Sequence, residues 1–197
     1  MSLQNTKEWK QSINMRPACD RVFREVFGSG CSVIRYEQDD GPHILDSEFA
    51  IDLKVITPCG AQLSGQEKAL SNHFYKFKTF TIEFYQNRYT REPGEFFKIA
   101  SQFYLSGYSD RTGVEFIEWH IIKMFDFINW IRNTNTQKLA AICKPSTSRA
   151  NFLPIPYHKI PQAFIFASGG GAGNTQVYDN LDKLLKQSSG AVQCQTA

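Results

Sequence analysis

The chain has 197 residues, of which 42% are hydrophobic and 21% charged, and its formal net charge at pH 7 is +3. This length and composition are typical of one globular domain with an extension, and they exclude a fully disordered chain. The longest apolar stretch, residues 116–131, is interrupted by four charged or titratable side chains, so we expect no membrane span. The small net charge neither requires nor excludes a nucleic-acid partner.

The first predicted element is an amphipathic helix that begins at about Pro17, a residue suited to the first helical position. Gly28 and Gly30 end it. Five apolar side chains share one face at helical spacing: Cys19, Val22, Phe23, Val26 and Phe27. Residues 31–38 then predict a first strand, and residues 39–42 predict a turn.

Residues 49–56 and 61–70 predict the two strands of a β-hairpin. In the first strand, apolar residues recur at a period close to two, as expected for a strand. Thr57–Gly60 contains Pro and Gly and supplies the turn. The two strands are therefore expected to be adjacent and antiparallel.

The residues that this hairpin brings together suit a divalent cation and a phosphodiester. A period of two places Gln66 and Lys68 on one face of the second strand, beside Asp52 of the first. Mg²⁺ or Mn²⁺ takes few protein oxygens, and we expect Asp52, the Gln66 amide oxygen and the Glu67 carbonyl to supply them. The Glu67 side chain should point to the opposite face. Lys68 would stabilise the charge that builds on a phosphoryl group.

This pattern resembles that of the PD-(D/E)xK nuclease superfamily, which has the restriction-endonuclease-like fold. The family motif is an Asp at the end of one hairpin strand, followed by (Asp/Glu/Gln)-x-Lys in the next. The match is Asp52 and then, after thirteen residues, Gln66-Glu67-Lys68. The sequence departs from the pattern in having Ile51 where the family name has Pro, and Gln66 in place of the second acid.

The resemblance covers residues 17–130 and implies an α/β fold, a restriction-endonuclease-like core whose mixed β-sheet is flanked by helices on both faces. It implies a Mg²⁺-dependent or Mn²⁺-dependent endonuclease that hydrolyses DNA, with Asp52, Gln66 and Lys68 as catalytic residues. Members often add a carboxylate from the first helix that reaches the metal, and Glu25 is the candidate for this role. The alternative is that Glu25 is a solvated helix carboxylate.

Two other functions stay open. Gln66 in place of an acid removes one negative charge from the metal site, so a nuclease-like module that holds DNA or a protein without cutting is the alternative to an enzyme. The third function is that of an interaction protein with no nucleic-acid role, because a fold by itself does not determine function.

The elements after the hairpin begin with a strong third partner strand at residues 78–86, where apolar and polar residues alternate. Glu83, on its polar face, is either a second contributor to the site or a surface partner of a lysine. The further predicted elements are a short helix near Pro93, a strand at 102–108, a strand at 113–118 and a helix to about Arg132.

A local basic patch around these elements is expected to contact the phosphates of DNA. It consists of Lys76, Lys78, Arg88, Arg91 and Lys98. Binding through such contacts is salt-sensitive. DNA is therefore the expected partner and a membrane is not, and a homodimer is compatible with the sequence.

We expect a single nuclease-like domain over residues 1–166 and an extension over residues 167–197, made of a Gly-rich linker, a terminal helix from Val177 and a disordered tail. The segment SGGGAGNT at 168–175 lacks the Gly-Lys-Ser/Thr ending of a phosphate-binding loop. The five cysteines are odd in number and lack metal-binding spacing, so they are interpreted as free thiols of a reducing, cytoplasmic compartment.

Overall fold

Helices and strands follow one another along residues 7–38, 41–42, 44–133, 136–145, 149–170 and 174–178, the part of the chain that this computed structural model describes. The helices are α1 (Lys7–Phe27), α2 (Ile44–Phe49), α3 (Glu95–Lys98), α4 (Met124–Arg132) and α5 (Thr136–Ile142). The strands are β1 (Ser32–Arg35), β2 (Glu37–Gln38), β3 (Gly41–Pro42), β4 (Leu53–Ile56), β5 (Gln62–Leu70), β6 (Thr79–Asn87), β7 (Glu92–Pro93), β8 (Phe103–Ser109), β9 (Phe116–Lys123), β10 (Lys144–Pro145), β11 (Asn151–Pro156), β12 (Ile165–Gly169) and β13 (Gln176–Val177).

The strands form a mixed sheet of seven strands, a second sheet of four and a two-stranded pair. The order in the main sheet is β1-β4-β5-β8-β9-β12-β13, and its neighbours are antiparallel except for β5 and β8, which are parallel. The order in the second sheet is β10-β11-β6-β7. The mixed α/β class predicted from the sequence is confirmed.

Helix α1 covers one face of the main sheet, and the second sheet covers the other together with α3 and α4. The α1 side buries a core that includes Phe23 and Phe103. The other side buries a core that includes Phe80, Tyr104 and Phe127. Because successive strand residues point to opposite faces, β8 contributes to both cores. Burial of each large apolar side chain stabilises the fold by about 1.5–3 kcal/mol, which holds the layers together.

The connection between the parallel strands β5 and β8 contains much of the second sheet. After Leu70 the chain passes through a 3-10 turn (Asn72–Phe77), β6, β7 and α3 before it returns to β8. A parallel pair requires a long crossover of this kind. The returning strand sets Tyr104 beside Gln66 and Ser106 beside Lys68.

Helix α1 begins at Lys7, ten residues before the predicted start, and Pro17 lies inside it. The prediction that Pro17 opens the helix is therefore wrong. A proline inside a helix removes one hydrogen bond, but tertiary packing of an apolar face supplies most of a helix's stability. Here Met15 and Ala18, on either side of Pro17, are both buried in the core. The predicted end is confirmed, because Gly28 follows the helix with φ +106°.

The predicted hairpin is confirmed, since β4 and β5 are antiparallel neighbours with Leu53 opposite Gly65. Its first strand is shorter than expected, and residues 49–52 are not part of it. Helix α2 ends at Phe49, and the N–H groups of Ala50 and Ile51 still donate to carbonyls of that helical turn. The N–H groups of Ala50 and Ile51 are therefore satisfied by the helix and not by the sheet.

Strand β6 was predicted as a third partner of the hairpin, and its existence is confirmed but its place is different. It pairs with β11 and β7 in the second sheet, whereas β8 takes the position beside β5. Alternation of apolar and polar residues predicts which face of a strand is buried, but it does not predict the neighbouring strand.

Strand β9 continues to Lys123 before α4 begins, whereas the predicted strand ended at residue 118. Ile121 packs in the core on the α1 side and Ile122 in the core on the other side. A strand buried on both faces has a continuous apolar run, which resembles a buried helix in sequence.

The expected boundary after residue 166 falls inside β12, which pairs with β9 and β13. Val177 lies in β13, and the rest of the expected terminal helix and tail lies outside the described residues. Within the described ranges, no helix combines the length and the apolar character needed to cross a membrane. Four cysteines in these ranges are free thiols: Cys19, Cys31, Cys59 and Cys143.

Candidate functional site

Asp52 lies directly before β4 and is held by both its backbone and its side chain. Its N–H donates to the Gly65 carbonyl (3.0 Å), and its carbonyl accepts from the Tyr36 N–H (2.8 Å). Its carboxylate oxygen Oδ2 accepts the Glu67 N–H at 3.1 Å. The carboxylate is thereby fixed at the edge of β5, next to the predicted motif.

The alternation along β5 separates the motif residues into two groups. Gln66 and Lys68 face the space between the two sheets, and Gln66 is only 6% exposed. Glu67 faces α1, where its two oxygens accept from Arg35 at 2.8 and 3.0 Å. Arg35 also donates to Asp20 at 2.8 Å, so the Glu67 carboxylate belongs to a structural ion-pair network.

The backbone of Glu67 points in a different direction from its side chain. The N–H and C=O groups of one strand residue lie on the same edge of the strand, and successive residues alternate between edges. Since the Glu67 N–H reaches Asp52, the Glu67 carbonyl lies on the Asp52 side of β5. A carboxylate and a carbonyl are both ligands that Mg²⁺ accepts.

A cleft of about 220 Å³ opens beside these residues, between the two sheets. It is lined by Asp46, Ala50, Gln66, Lys68, Glu83, Glu95, Lys98 and Phe152. A second cleft of about 170 Å³ is lined by Ser12, Arg16, Arg35, Tyr36, Asp46, Asp52 and Glu67. Because Asp46 lines both clefts, they adjoin at this residue, and Asp52 lines the second cleft while its carboxylate hydrogen-bonds the strand that lines the first.

The site concentrates negative charge. Burial, and next the nearby Asp46, raise the pKa of the Asp52 carboxyl well above its ordinary value. Burial and the neighbouring Glu95 likewise raise the pKa of Glu83, although Lys68 and Lys98 act in the opposite direction. Carboxylates that resist ionisation in this way favour a bound cation, because positive charge relieves their repulsion.

Gln66 carries the most direct sign of a ligand. Its Oε1 is buried and has no hydrogen-bond partner, although the residue lines the cleft. An unpaired buried acceptor costs about 1–3 kcal/mol, and most such groups in proteins are paired. A cation in the cleft, or the water around it, would satisfy this oxygen.

Lys68 and Glu95 are both held in place at the cleft. The Lys68 Nζ lies 4.6 Å from the centroid of the Phe152 ring. Glu95 accepts a hydrogen bond from the Tyr104 hydroxyl through Oε1 and from the Glu83 N–H through Oε2, each at 3.2 Å. Burial and Glu95 raise the pKa of Tyr104 well above its ordinary value, so its hydroxyl stays a donor.

Sequence reasoning did not find Asp46 and Glu95 as site residues. Asp46 comes from α2, in the segment between the predicted turn at 39–42 and the predicted strand at 49–56, and Glu95 comes from α3. The one available signal was that Glu95 follows Pro93 by two residues at a predicted helix start, and an acidic residue is ordinary at a helix N-terminus. Nothing in the local pattern relates either residue to Asp52.

Glu25 lies away from this cluster. Its carboxylate accepts a hydrogen bond from the Thr175 hydroxyl. The α1 residues that line the second cleft are Ser12 and Arg16. Glu25 follows Arg16 by nine residues, which corresponds to about 14 Å along a helix axis. The structure therefore does not bring Glu25 together with Asp52.

The predicted basic patch is divided between the two ends of β6. Lys76 lies over the Phe77 ring and Lys78 over the Tyr75 ring, while Lys78 also forms an ion pair with Glu118. Arg88 and Arg91 lie at the other end, about 30 Å away for a strand of this length. Arg88 donates to the Tyr89 hydroxyl, and Arg91 has φ +56°. Lys98 donates to the Ser47 carbonyl and lines the cleft.

A divalent cation fits this site only with a mixed set of ligands. Among the residues that the structure describes, no three His, Cys, Asp or Glu side chains are grouped so that they could hold a metal ion. Asp52, the Gln66 Oε1 and the Glu67 carbonyl instead offer one anionic and two neutral oxygens. Mg²⁺ accepts such a site, because it keeps several waters and takes one or two carboxylates together with substrate phosphate.

The chain matches no protein-family model, no curated protein and no solved structure. Its function is therefore inferred from the residues that line the cleft and from the resemblance of their sequence motif.

Proposed function

We propose that this protein is a metal-dependent nuclease that hydrolyses phosphodiester bonds in DNA, with its site at the cleft beside Asp52. The observation that carries the proposal is the buried, unpartnered Gln66 Oε1 on the strand that Asp52 hydrogen-bonds. Lys68 faces the same cleft two residues further along. An anionic oxygen and a neutral oxygen suit Mg²⁺, and an ammonium group stabilises the charge that develops on a phosphoryl group.

Asp52, Gln66 and the Glu67 carbonyl would hold the ion. A bound Mg²⁺ or Mn²⁺ supplies polarisation of the phosphoryl oxygen and a water of lowered pKa. The protein itself fixes the orientation of Asp52, since the Glu67 N–H occupies one of its oxygens and leaves the other for a ligand.

Lys68 would act on the phosphate. Its ammonium group is restrained by the Phe152 ring, so it loses little freedom when an anion enters the cleft. A fixed positive charge beside the reacting phosphoryl group stabilises the charge that develops in the transition state. The ammonium of Lys98, at the same cleft, would contribute to binding the substrate phosphate.

The order of elements supports the proposal as well. The resemblance implies a helix, a three-stranded meander, and then a helix and further strands. The chain has α1, the antiparallel strands β1, β4 and β5, and then a crossover that contains α3 and leads to β8 beside β5. The crossover from β5 to β8 contributes β6 and β7 to the second sheet, and β10 and β11 join this sheet from further along the chain.

Cleavage of plasmid and branched DNA with Mg²⁺ or Mn²⁺ tests the proposal. Wild type should cut, and chelation of the metal should stop it. Lys68→Ala should lower the rate at least about a hundredfold, as expected for lost transition-state stabilisation. Lys54→Ala is the matched control, because Lys54 lies on the neighbouring strand β4 and bonds Gln62. Equal rates for the two variants would exclude the proposed role of Lys68.

A nuclease-like module that binds DNA or a protein without cutting is the second candidate. Two observations favour it: Gln66 replaces an acid, and the described side chains do not form a three-residue metal group. Under this alternative, wild type binds DNA but does not cut duplex, single-stranded or branched DNA with either metal. A protein that neither binds nor cuts would contradict both candidates.

A further inference from the structure

Two carboxylates outside the sequence motif line the cleft beside Asp52. Asp46 comes from α2, which precedes the hairpin, and Glu95 comes from α3 in the crossover. Both line one cleft together with Gln66. They therefore surround the same space from two elements, although they lie 49 positions apart in the chain (Asp46 to Glu95).

We propose that Asp46 and Glu95 belong to the cation site, where they hold the water shell of a small hydrated divalent cation whose direct protein ligands are Asp52 and Gln66. The inference rests on the proposed function only in requiring a cation in this cleft, and it does not require cleavage.

Acidic side chains outnumber basic ones around the cleft. Three carboxylates and two ammonium groups line it, the carboxylates of Asp46, Glu83 and Glu95 and the ammonium groups of Lys68 and Lys98. Asp52 lines the adjoining cleft, which Asp46 also lines. A bound cation would compensate this excess of acidic groups.

The buried side-chain oxygen of Gln66 lacks a hydrogen-bond partner among the described residues. Repulsion among carboxylates does not by itself define a ligand site, but a buried acceptor without a partner indicates a missing donor or cation. Gln66 lines the same cleft as Asp46 and Glu95. One ion with its waters would satisfy the amide oxygen and relieve the repulsion at once.

Two hydrogen bonds hold the Glu95 carboxylate in one orientation. The Tyr104 hydroxyl and the Glu83 N–H each donate to one of its oxygens at 3.2 Å. Two donors fix the carboxylate and still leave lone pairs on both oxygens. Such a group is placed to accept hydrogen bonds from the waters of an ion, as the outer partners of metal sites do.

The arrangement of the carboxylates favours an ion that keeps its waters. No three acidic, His or Cys side chains in the described ranges form a metal-holding group, so we expect Asp46 and Glu95 to act through the waters of the ion and not as direct ligands. A hydrated ion bridges wider gaps. Mg²⁺ and Mn²⁺ suit this arrangement, whereas Ca²⁺ takes six to eight direct oxygens and suits it less.

Mn²⁺ binding to the full-length chain, measured by electron paramagnetic resonance of the free ion, tests the inference without an activity assay. Asp52→Asn should abolish binding. Asp46→Asn and Glu95→Gln should each weaken it by about tenfold or more, the usual effect of losing an outer partner. Glu92→Gln is the matched control, because Glu92 is exposed on β7 outside the cleft, and it should bind as wild type does.

Tyr104→Phe provides a second variant that keeps the core packing and removes one donor to Glu95. It should weaken Mn²⁺ binding less than Glu95→Gln does, and thermal unfolding of each variant checks that it is folded. Ca²⁺ should displace Mn²⁺ only at higher concentration than Mg²⁺ does. The inference is overturned if Asp46→Asn and Glu95→Gln bind Mn²⁺ like Glu92→Gln, or if Ca²⁺ competes better than Mg²⁺.

The outcomes for the inference and for the proposed function are separable. Weakened Mn²⁺ binding in Asp46→Asn and Glu95→Gln, without DNA cleavage by wild type, supports the inference and contradicts the nuclease. Cleavage by wild type, with unchanged Mn²⁺ binding in both variants, supports the nuclease and contradicts the inference.

Discussion

The backbone N–H of Glu67 donates a 3.1 Å hydrogen bond to the carboxylate of Asp52. This bond joins the residue before β4 to the middle residue of the motif on β5, although β4 itself begins only at Leu53. It favours the ionised form of Asp52, whereas burial and Asp46 favour the neutral form. The balance leaves a carboxyl that is oriented but poorly stabilised as an anion, which is a common condition of functional sites.

Replacement of Asp52 by Asn is expected to stabilise the protein while removing metal-dependent cleavage. The pKa of Asp52 is raised in the folded protein, so the folded state binds the proton more tightly than the unfolded chain. The contribution of Asp52 to stability is then fully present below the unfolded-state pKa of about 4, and it is lost as pH rises from there through the folded pKa. Asp52→Asn should raise the free energy of unfolding at pH 7 by about 1 kcal/mol.

Chemical unfolding of wild type and Asp52→Asn, at several pH values with and without Mg²⁺, measures this effect. Mg²⁺ should stabilise wild type and leave the variant unchanged, because a ligand stabilises only the state that binds it. Asp126→Asn is the control, since Asp126 belongs to a surface pair with Lys123 on α4. A variant less stable than wild type without Mg²⁺ would contradict the prediction.

Glu118 is expected to stabilise the fold in a manner that acid removes. A hydrogen bond with His120 and the ion pair with Lys78 lower the pKa of Glu118 to about 2. Its stabilisation is therefore present above the unfolded-state pKa of about 4.3 and is lost as pH falls towards 2. Because Lys78 is half-exposed, Glu118→Gln should cost about 1–2 kcal/mol at pH 7.

The free energies of unfolding of Glu118→Gln and of wild type are measured at pH 7 and at pH 3. The difference between them should be smaller at pH 3. Glu115→Gln is the matched control, because Glu115 forms an exposed pair with Arg21 and lies on the loop before β9. Equal losses of stability in both variants at pH 7 would contradict the prediction that the contacts of Glu118 with Lys78 and His120 stabilise the fold more than an exposed ion pair does.

Gly65→Ala is expected to destabilise the sheet next to the motif. Gly65 lies on β5 directly before Gln66. A Cβ at this position would lie 2.1 Å from the Phe103 ring. Overpacking of this kind costs about 1–3 kcal/mol. Urea unfolding checks it, with Gly30→Ala as control because its Cβ would meet Pro58 at an ordinary 3.5 Å. Equal midpoints for the two variants would contradict the packing described.

Lys76 and Lys78 are expected to differ in DNA binding although both lie before β6. Lys76 is exposed, so Lys76→Ala should weaken binding and lower the slope of log affinity against log salt by about 1. Lys78 is paired with Glu118, so Lys78→Ala should lower stability more than affinity. Fluorescence anisotropy between 50 and 200 mM salt measures both. A larger loss of affinity for Lys78→Ala would reverse this assignment.

The sequence by itself determined the features that depend on local periodicity, namely which side chains share a face and where the hairpin lies. The period of two along residues 62–70 correctly places Gln66 and Lys68 on one face and Glu67 on the other. The turn residues before β5 correctly predict an antiparallel hairpin. The apolar face of α1 was also evident, but its start was not, because Pro17 is tolerated once Met15 and Ala18 are buried.

Only the tertiary structure decided which elements surround the motif. The partner of β6 depends on packing between sheets, and a strand's own pattern does not specify it. Asp46 and Glu95 meet Asp52 because α2 and α3 pack around the end of the hairpin, and no periodicity connects residues so far apart in the chain. The chemistry of single residues could be inferred from the sequence, whereas the charge that they share arises only when long-range packing brings them into one cleft.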